Sequence, residues 1–281
     1  MKEIVLDTLK DTIRIIPFLF IAFLIIEFIE HKLSKKNKKV LLKSRQYGPL
    51  LGGLLGMFPQ CGFSALATNL FSSRVITLGT LIAVYLSTSD EMLPLLLTGG
   101  ISFTYALKLV FLKALIGIFY GFIIDLIIRK QDLKEDDIKE LCHDEHCHCE
   151  ENILIGALKH TLNIVFFIFI ASLCIAYFVH YMQEENIENY LLQGSILSYP
   201  IASLIGLIPN CASSVIVTEF YLKDFITLGN LFSALLTGAG VGLLVLFRTN
   251  KNLKENLLTV GLIFVLGTVT GYIIDLVGKL L

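Results

Sequence analysis

The chain has 281 residues, of which 55% are hydrophobic and only 17% are charged, whereas a typical soluble domain carries about 25% charged residues. Its mean hydropathy is +0.75 and its formal net charge is −1, which disfavours a soluble enzyme, a nucleic-acid-binding protein and a disordered scaffold. Between residues 46 and 126 only six side chains are charged, and several apolar runs reach the ~20 residues that cross a bilayer. The composition therefore predicts a polytopic protein of the lipid bilayer.

The first apolar run of the chain is followed by a strongly basic loop. The bases of this loop are Lys32, Lys35, Lys36, Lys38, Lys39, Lys43 and Arg45. Because Lys and Arg are enriched in cytoplasmic loops, we predict that this loop lies inside the cell and that the N-terminus lies outside.

The next segment, Gly48–Ser72, is apolar but contains Pro59 near its middle. Each arm around the proline has about 12 residues, or ~18 Å of helix, which is too short to cross the membrane. Two full spans follow, Val75–Leu97 and Phe103–Ile128, and together they return the chain to a linker with a basic start on the inside. We therefore predict a re-entrant hairpin with its tip at Phe58–Gly62, because proline lacks a backbone donor and breaks a helix.

The chain repeats itself with a period of about 150 residues. Four segments recur in the same order, and the matched pairs are Leu9–Thr12 with Leu158–Thr161, Gly56–Cys61 with Gly206–Cys211, Ile76–Gly79 with Ile226–Gly229, and Gly121–Leu126 with Gly271–Leu276. Repetition at a fixed period indicates duplicated structural units. The sequence therefore predicts two homologous halves, residues 1–130 and 151–281, joined by a polar linker at residues 131–150.

The two halves are predicted to lie in opposite orientations in the membrane. The loop of the second half that corresponds to the basic loop carries no base and three acids, Glu184, Glu185 and Glu188, which favours the outside. The linker and the last loop contain the bases Arg129, Lys130, Arg248, Lys251 and Lys254, which favours the inside for both and the outside for the C-terminus. Inverted repeats are typical of secondary transporters, whose substrate sites form near the membrane midplane between the repeats.

The second hairpin has Pro209 at its tip, within Ile208–Ala212, and is predicted to enter from the opposite face of the membrane. The predicted fold is an all-α polytopic membrane protein with two inverted repeats, each with three full transmembrane helices and one proline-broken re-entrant hairpin. Counting each hairpin as two gives ten helical segments in the chain. Because non-helical backbone at this depth is tolerated where it lines a wet cavity or is buried in protein, the two tips are predicted to form the substrate site.

Asp90 and Glu91 lie well inside an apolar span. A charge near the centre of a bilayer costs about 2.5–3.5 kcal/mol on insertion scales, so such residues require a partner or a function. Their equivalents in the second half are Gly240 and Val241, which indicates that the fold itself does not need acids there. We predict that both acids bind a cation or carry protons; the alternative is an ion pair with Lys113 in the following helix.

Polar side chains with oxygen atoms recur at the two hairpins. Glu219 lies on the returning arm of the second hairpin, where the first hairpin has Asn69, and Gln60 and Asn210 lie at the two tips. All four can offer oxygen to a cation, and Glu219 can also exchange a proton. We predict that they line the substrate path; the alternative is that they bind backbone groups freed by the helix breaks.

Each hairpin tip also carries a cysteine, Cys61 in the first half and Cys211 in the second. Thiolates select soft ions, whereas carboxylates and amides suit a hard ion such as Mn²⁺. The two cysteines are predicted to bind the substrate or to line its path. The alternative is packing in a tight helix crossing, because a free cysteine behaves as a small apolar residue.

The linker between the halves is rich in Cys and His, which are Cys142, His143, His146, Cys147, His148 and Cys149. Their spacing differs from the two ligand pairs of a folded zinc module. The predicted role is a flexible cytoplasmic segment that captures or senses Zn²⁺-like metals, and the alternative is a solvated tether.

Asp125 and Asp275 occupy equivalent positions near the end of each half. Arg129 and Lys279 follow them by four residues, a spacing that brings side chains together on a helix. Each aspartate is therefore predicted to form a salt bridge at a helix end.

Several of these motifs together resemble those of a known family. The tips Phe58–Gly62 and Ile208–Cys211, the acidic segment Ser87–Met92 and the His/Cys linker are similar to those of the bacterial ten-helix heavy-metal exporters, which are labelled arsenic efflux proteins or manganese transporters. The resemblance extends over essentially the whole chain. It implies ten helices and the efflux of a metal or metalloid ion across the cell membrane.

The sequence contains no Gly-rich phosphate-binding loop followed by Lys and Ser or Thr, which disfavours ATP hydrolysis, and no nucleophile–base pair stands out, which disfavours an enzyme. It therefore predicts a multi-pass secondary transporter of the plasma membrane that exports a divalent heavy metal, preferentially Mn²⁺, in exchange for protons. It predicts no resident cofactor and no nucleic-acid partner, and it leaves a homo-oligomer open. Two alternatives remain: a permease for arsenite, organoarsenicals or other metalloids, and a membrane metal sensor.

Overall fold

The computed structural model of the chain describes residues 47–57, 61–88, 92–128, 196–209 and 211–280, together with individual helical positions between residues 6 and 24 and between 158 and 174. All regular secondary structure in this part of the chain is α-helical, which confirms the predicted all-α class. Four of the described stretches are long and apolar enough to cross a membrane, and they are Leu78–Thr98, Phe103–Ile128, Leu228–Thr249 and Leu253–Gly278.

The described helices recur with the period of the sequence. Those of the first half are α1 (Gly48–Gly56), α2 (Cys61–Ser72), α3 (Leu78–Ser87), α4 (Met92–Thr98) and α5 (Phe103–Ile128). Those of the second half are α6 (Ser198–Gly206), α7 (Cys211–Leu222), α8 (Leu228–Thr237), α9 (Val241–Thr249) and α10 (Leu253–Leu280). The bounds of α6, α7 and α8 follow those of α1, α2 and α3 at an offset of 150 residues.

Each proline-containing segment forms two short helices. α1 ends three residues before Pro59, and α6 ends three residues before Pro209. Pro49 lies in the first turn of α1, where proline is tolerated because its missing N–H would have no partner within the helix. The helix breaks therefore fall where the prolines predict them.

The second predicted span of each half is interrupted, which the apolar pattern does not predict. Four residues separate α3 from α4, and residues 238–240 separate α8 from α9. Gly240 in the second gap has φ of 54°, a left-handed conformation that glycine adopts without steric cost. The single helix expected over Val75–Leu97 is thus a pair of short helices.

The interrupted helices form the core, and the continuous helices α5 and α10 cover them. Leu78–Thr98 is 73% buried and Leu228–Thr249 is 83% buried over their most apolar windows, whereas the windows of α5 and α10 are only 28% buried. Large apolar side chains such as Phe119, Leu126 and Val265 lie exposed on the outer helices. An apolar outer surface around a buried core is the arrangement expected of helices in contact with lipid.

A carboxylate from the last helix of each half binds the N-terminal end of the interrupted helix. Asp125 of α5 accepts hydrogen bonds from the Thr77 hydroxyl at 2.7 Å and from the Gly79 backbone N–H at 2.9 Å. Asp275 of α10 makes the equivalent contacts, and its bond from the Gly229 N–H is 2.7 Å long. These carboxylates satisfy N–H groups that have no partner within the helix and interact favourably with the helix dipole.

This role of the two aspartates differs from the salt bridges that the sequence predicts. The side chains of the expected partners, Arg129 and Lys279, lie outside the described residues. The contacts that the structure does show join positions 46 and 48 residues apart. A local pattern such as an i, i+4 spacing cannot indicate a contact of that range.

Close packing places α1 alongside α3, with both helices running in the same direction. A Cβ atom on Gly52 would lie 3.0 Å from Cγ2 of Val84, and one on Gly56 would lie 2.9 Å from the backbone oxygen of Val84. Gly48, at the other end of α1, faces Thr80 near the start of α3. The glycines thus let the two backbones approach, because any larger residue would meet the facing helix.

The two halves interlock through their short helices. α2 packs against α9 of the other half, and α7 packs against α4. α2 and α7 are repeat equivalents, and so are α4 and α9. The two contacts therefore join equivalent pairs of helices.

Candidate functional site

A small cavity lies between the two halves, and both contribute to its lining. It has room for about one water molecule. The first half contributes Thr88 and Lys113 to its lining. The second half contributes the residues Gly206, Ser213, Ser214, Ala234, Leu235 and Gly238. The interface between the repeats, where the sequence predicts the substrate site, therefore contains a small cavity whose lining combines polar residues such as Lys113 and Ser213 with apolar ones.

Three helices point their C-terminal ends at this cavity. Thr88 caps the C-terminus of α3, Gly238 caps that of α8, and Gly206 is the last residue of α6. A helix C-terminus carries carbonyl groups without partners in the helix and the equivalent of about −0.5 charge. Ser213 and Ser214 bring the N-terminal turn of one helix, α7, to the same cavity. The balance of helix ends in the lining favours a cation.

Lys113 lies in the middle of α5 and is only 2% exposed. Its Nζ atom donates a hydrogen bond to the backbone carbonyl oxygen of Thr88. An ammonium group in a transmembrane helix is costly unless it is paired and faces the protein interior. Lys113 therefore marks the first-half wall of the cavity as a site where positive charge is stabilised.

A network of hydroxyl groups joins the halves beside the first turn of α9. Thr68 Oγ1 lies 2.6 Å from the Tyr85 hydroxyl, and both approach the carbonyl oxygen of Gly242, at 3.2 and 3.1 Å respectively. A Cβ atom on Gly242 would lie 2.9 Å from Cε1 of Tyr85, so the contact requires glycine. The apolar run around Tyr85 gives no signal of this polar role, and sequence reasoning missed it.

Two predicted path residues lie away from the described lining of the cavity. Asn69 is buried, and its Nδ2 atom donates to the carbonyl oxygen of Ala65 in its own helix at 3.1 Å. Glu219 is exposed on α7. Although they occupy equivalent positions, the structure brings neither to the residues that line the cavity.

The side chains of the other predicted ligands lie outside the described residues. Cys61 and Cys211 are the first residues of α2 and α7, and their side chains are not described. Those that lie wholly outside are Pro59, Gln60, Asp90, Glu91, Asn210 and the linker residues Cys142, His143, His146, Cys147, His148 and Cys149. Pro209 is described, and it is partly buried at the break between α6 and α7. Within the described part of the chain, no three His, Cys, Asp or Glu side chains cluster as a metal site.

Two further clusters of contacts join the halves. In the first, Ser72 Oγ lies 2.7 Å from Thr249 Oγ1, and Arg74 forms a 2.8 Å ion pair with Glu255. These residues lie at the ends of α2 and α9 and at the start of α10.

The second cluster is the repeat equivalent of the first. Leu222, which corresponds to Ser72, packs against Gly99, which corresponds to Thr249; a Cβ atom on Gly99 would lie 2.7 Å from Leu222 Cδ2. The hydroxyl groups of Tyr105 and Tyr221 lie 3.3 Å apart in the same cluster. Tyr105 corresponds to Glu255, whereas Tyr221 corresponds to Phe71 and not to Arg74, so the second cluster has an uncharged contact at the position where Glu255 of the first forms its ion pair.

Comparison with known proteins identifies the family. The family described as "Putative, 10TM heavy-metal exporter" matches residues 1–179 and residues 151–280. The chain therefore belongs to this family of membrane transport proteins, which confirms the resemblance seen in the motifs. No curated protein matches the chain, and no solved structure matches it.

Proposed function

We propose that this member of the heavy-metal exporter family is a secondary transporter that moves a divalent cation, preferentially Mn²⁺, out of the cell in exchange for protons. The observation that carries the proposal is the cavity between the halves, at which three helix C-termini meet. Interrupted helices whose C-terminal carbonyls coordinate cations are the usual binding sites of transporters with repeated halves.

Contacts at the ends of the helices support opposite orientations of the two halves. The segment that contains α3 and α4 is long enough to cross the membrane. Ser72 lies shortly before this segment, and Gly99 lies directly after it. Gly99 contacts Leu222, the repeat equivalent of Ser72. Equivalent residues at opposite ends of a membrane span are what an inverted repeat requires.

The path of α1 and α2 supports a re-entrant hairpin. α1 begins at Gly48, which lies beside Thr80 near the beginning of α3. It ends at Gly56, which lies beside Ser87 at the end of α3. α2 then returns to Ser72, five residues before Thr77 at the N-cap of α3. Both ends of the segment thus lie at one end of α3, and its tip lies about 15 Å deeper, roughly half the thickness of the hydrocarbon core.

In this proposal Asp90 and Glu91 provide the carboxylates that bind the metal and carry the protons. They follow Thr88, a residue of the cavity wall, by two and three positions. Gln60 and Asn210, next to the hairpin breaks, supply amide oxygen. Glu219 and Asn69 are given no part in metal binding, because Glu219 is exposed and Asn69 binds its own helix.

We assign the two end clusters as the gates of the transport path. The Ser72–Thr249 and Arg74–Glu255 contacts close one end, which the basic loops place inside the cell. The Gly99–Leu222 and Tyr105–Tyr221 contacts close the other end. Alternating access then requires that one cluster opens while the other stays closed.

The metal content of cells that express or lack the chain tests the function directly. Cells are challenged in turn with Mn, Zn, Co, Cu and arsenite, and the total content of each element is measured. The proposal predicts that expression lowers Mn content selectively. Gain of an element would make the protein an importer, and no change for any element would contradict transport.

Proton exchange is tested in liposomes that contain the purified protein, a pH dye and a Mn²⁺-sensitive dye. When Mn²⁺ is added outside, the proposal predicts Mn²⁺ entry with a simultaneous rise in internal pH, because protons leave as the metal enters. Mn²⁺ entry without any pH change would remove proton coupling from the proposal.

A metalloid permease is the second candidate, and the position of the two cysteines favours it. Cys61 is the first residue of α2, and Cys211 is the first residue of α7. Ser213, two residues after Cys211, lines the cavity. If arsenite is the substrate, Cys61→Ala with Cys211→Ala abolishes arsenite efflux. If Mn²⁺ is the substrate, the same variant loses little Mn²⁺ transport.

The cytoplasmic linker remains a proposed capture segment, and its deletion separates transport from sensing. A chain that lacks residues 142–149 retains flux at high metal concentration if the protein is a transporter, because the linker then only raises the local metal supply. Loss of all function after the deletion would instead support a metal sensor.

A further inference from the structure

Lys113 is a charged side chain within the core, and its position differs from that of a lysine reaching the membrane surface. The side chain is 2% exposed and lines the cavity between the halves. Its ammonium binds the carbonyl oxygen of Thr88, the C-cap of α3. A carbonyl at a helix C-terminus is also the type of ligand that binds metal cations in interrupted helices.

We infer that Lys113 is an internal cation that occupies the substrate site when no metal is bound. The ammonium and the metal compete for the same carbonyl oxygen of Thr88, so that metal entry displaces the lysine head from it. The inference rests on the proposed cation transport and adds how the empty site is stabilised.

The second half shows that the fold does not require a lysine at this position. Ile263 is the repeat equivalent of Lys113 and is fully buried in α10. Gly238, the equivalent of Thr88, lines the same cavity without such a partner from α10 in the described lining. The packing of the outer helix on the interrupted helix is therefore achieved with an apolar residue in one half and with an ammonium in the other.

An internal cation has a specific consequence for the empty transporter. A low-dielectric cavity lined by helix C-termini is costly when it holds no positive charge. With Lys113 in the site, the empty protein keeps a cation at this place while it returns to accept the next metal. Removal of the ammonium is therefore expected to strengthen metal binding and to slow the return of the empty protein.

Mn²⁺ binding to the purified full chain in detergent tests the inference, with the free metal measured by electron paramagnetic resonance. Lys113→Gln keeps a polar side chain of similar length, and we expect it to bind Mn²⁺ at least tenfold more tightly than the unmodified protein. Lys108→Gln is the matched control, because it removes an exposed lysine from the same helix and is expected to leave Mn²⁺ affinity unchanged. Lys113→Met, an apolar variant of similar length, serves as the second variant if the first does not fold.

Competition by a small amine provides a measurement that a purely structural lysine would not affect. In Lys113→Ala, millimolar methylammonium is expected to weaken Mn²⁺ binding several-fold, because it can enter the space left by the lysine head. In the unmodified protein it is expected to have no effect.

The possible results separate the two proposals. Mn²⁺ affinity that is unchanged or weaker in the folded Lys113 variants, or methylammonium without effect in Lys113→Ala, would overturn the internal cation while leaving cation transport intact. Absence of Mn²⁺ and Zn²⁺ binding in every form of the protein at millimolar metal would overturn the proposed function as well.

Discussion

The two halves of the chain share their helix bounds, yet they differ at the break in the central helix. In the first half the break follows Thr88 and contains Asp90 and Glu91, and Lys113 binds the carbonyl of Thr88. In the second half the corresponding positions are apolar or glycine, with Gly238, Gly240, Val241 and Ile263. The helix bounds are therefore repeated in both halves, whereas Lys113 on the cavity wall and the acids that follow Thr88 in sequence occur in the first half only.

What the halves share is structural. In both, a carboxylate of the last helix binds the N-terminal end of the interrupted helix, through Asp125 and Asp275. In both, a residue with positive φ lies two positions after the end of the helix, Arg74 with φ of 57° after α2 and Asp224 with φ of 59° after α7. These features position the breaks, and they are expected to respond alike to mutation in either half.

The largest expected effect comes from locking either gate. Ser72→Cys with Thr249→Cys, and Gly99→Cys with Leu222→Cys, place cysteine pairs at contacts close enough for a disulfide. If both ends must open in turn, each disulfide lowers metal flux at least tenfold, and a reductant restores it. The single-cysteine variants are the controls. Full flux through either cross-linked protein would show that the corresponding contact is not a gate.

The second effect concerns stability and is expected in both halves. Asp125→Ala removes two hydrogen bonds to the start of α3, and Asp275→Ala removes those to the start of α8 together with one from the Tyr199 hydroxyl at 2.9 Å. Since bonds to a charged group contribute about 1.5–3 kcal/mol each, each variant is expected to lose at least about 2 kcal/mol, with the larger loss for Asp275→Ala.

Thermal unfolding in detergent measures both losses. Asp125→Asn and Asp275→Asn are the matched controls, because an amide keeps one acceptor oxygen and is expected to lose less. A large loss in one half only would show that the two carboxylates do not have the same role.

The third effect is confined to the first half. Tyr85→Phe removes the hydroxyl that contacts Thr68 and Gly242, and the repeat equivalent of Tyr85 is the apolar Leu235. Each of these two neutral hydrogen bonds contributes about 0.5–1.5 kcal/mol, so the melting temperature is expected to fall while Mn²⁺ affinity stays unchanged. A tenfold loss of Mn²⁺ affinity would instead place the hydroxyl in the metal site.

The smallest effect distinguishes the two gates by their charge. Arg74 and Glu255 are 30% and 25% exposed, and partly exposed ion pairs contribute only about 0.2–1 kcal/mol. Arg74→Ala is expected to change metal flux less than about fivefold, and raising the ionic strength is expected to mimic it. Flux through Arg74→Ala is expected to lose this salt dependence, whereas flux through Tyr105→Phe at the other gate is expected to keep it, because that variant retains the ion pair. Equal salt dependence of both variants would contradict the assignment.

The sequence predicted the period, the helix breaks at the prolines and the apolar helices, because each depends on local composition. It did not predict the interruption of the central helices, because the apolar residues on the two sides of each break together have the length of one membrane span. It also could not predict that Asp125 binds Thr77 or that Tyr85 reaches Gly242, because these contacts join residues distant in the chain. The repeat was the strongest signal, and it pointed to the interface at which the cavity lies.

For the site, the structure adds the direction of side chains that the sequence singles out. Lys113 was considered only as an ion-pair partner, and the structure places it on the cavity wall. Glu219 was predicted to line the path because it lies on the returning arm of the second hairpin, where the first has Asn69, and its side chain is exposed. Whether a side chain on a helix of mixed apolar pattern faces the cavity or the outer surface depends on how the two halves pack. The order of apolar and polar residues along one helix does not give that packing.

The most direct test of the account is Mn²⁺ flux in liposomes for a variant in each half. Asp90→Asn with Glu91→Gln neutralises the acids of the first break, and Glu219→Gln neutralises the exposed acid of the second half as the matched control. If the first half provides the cation site, the first variant inserts normally but transports no more than empty liposomes, while the control keeps most of its flux. Full flux in the first variant would contradict the claim that the first half provides the cation site.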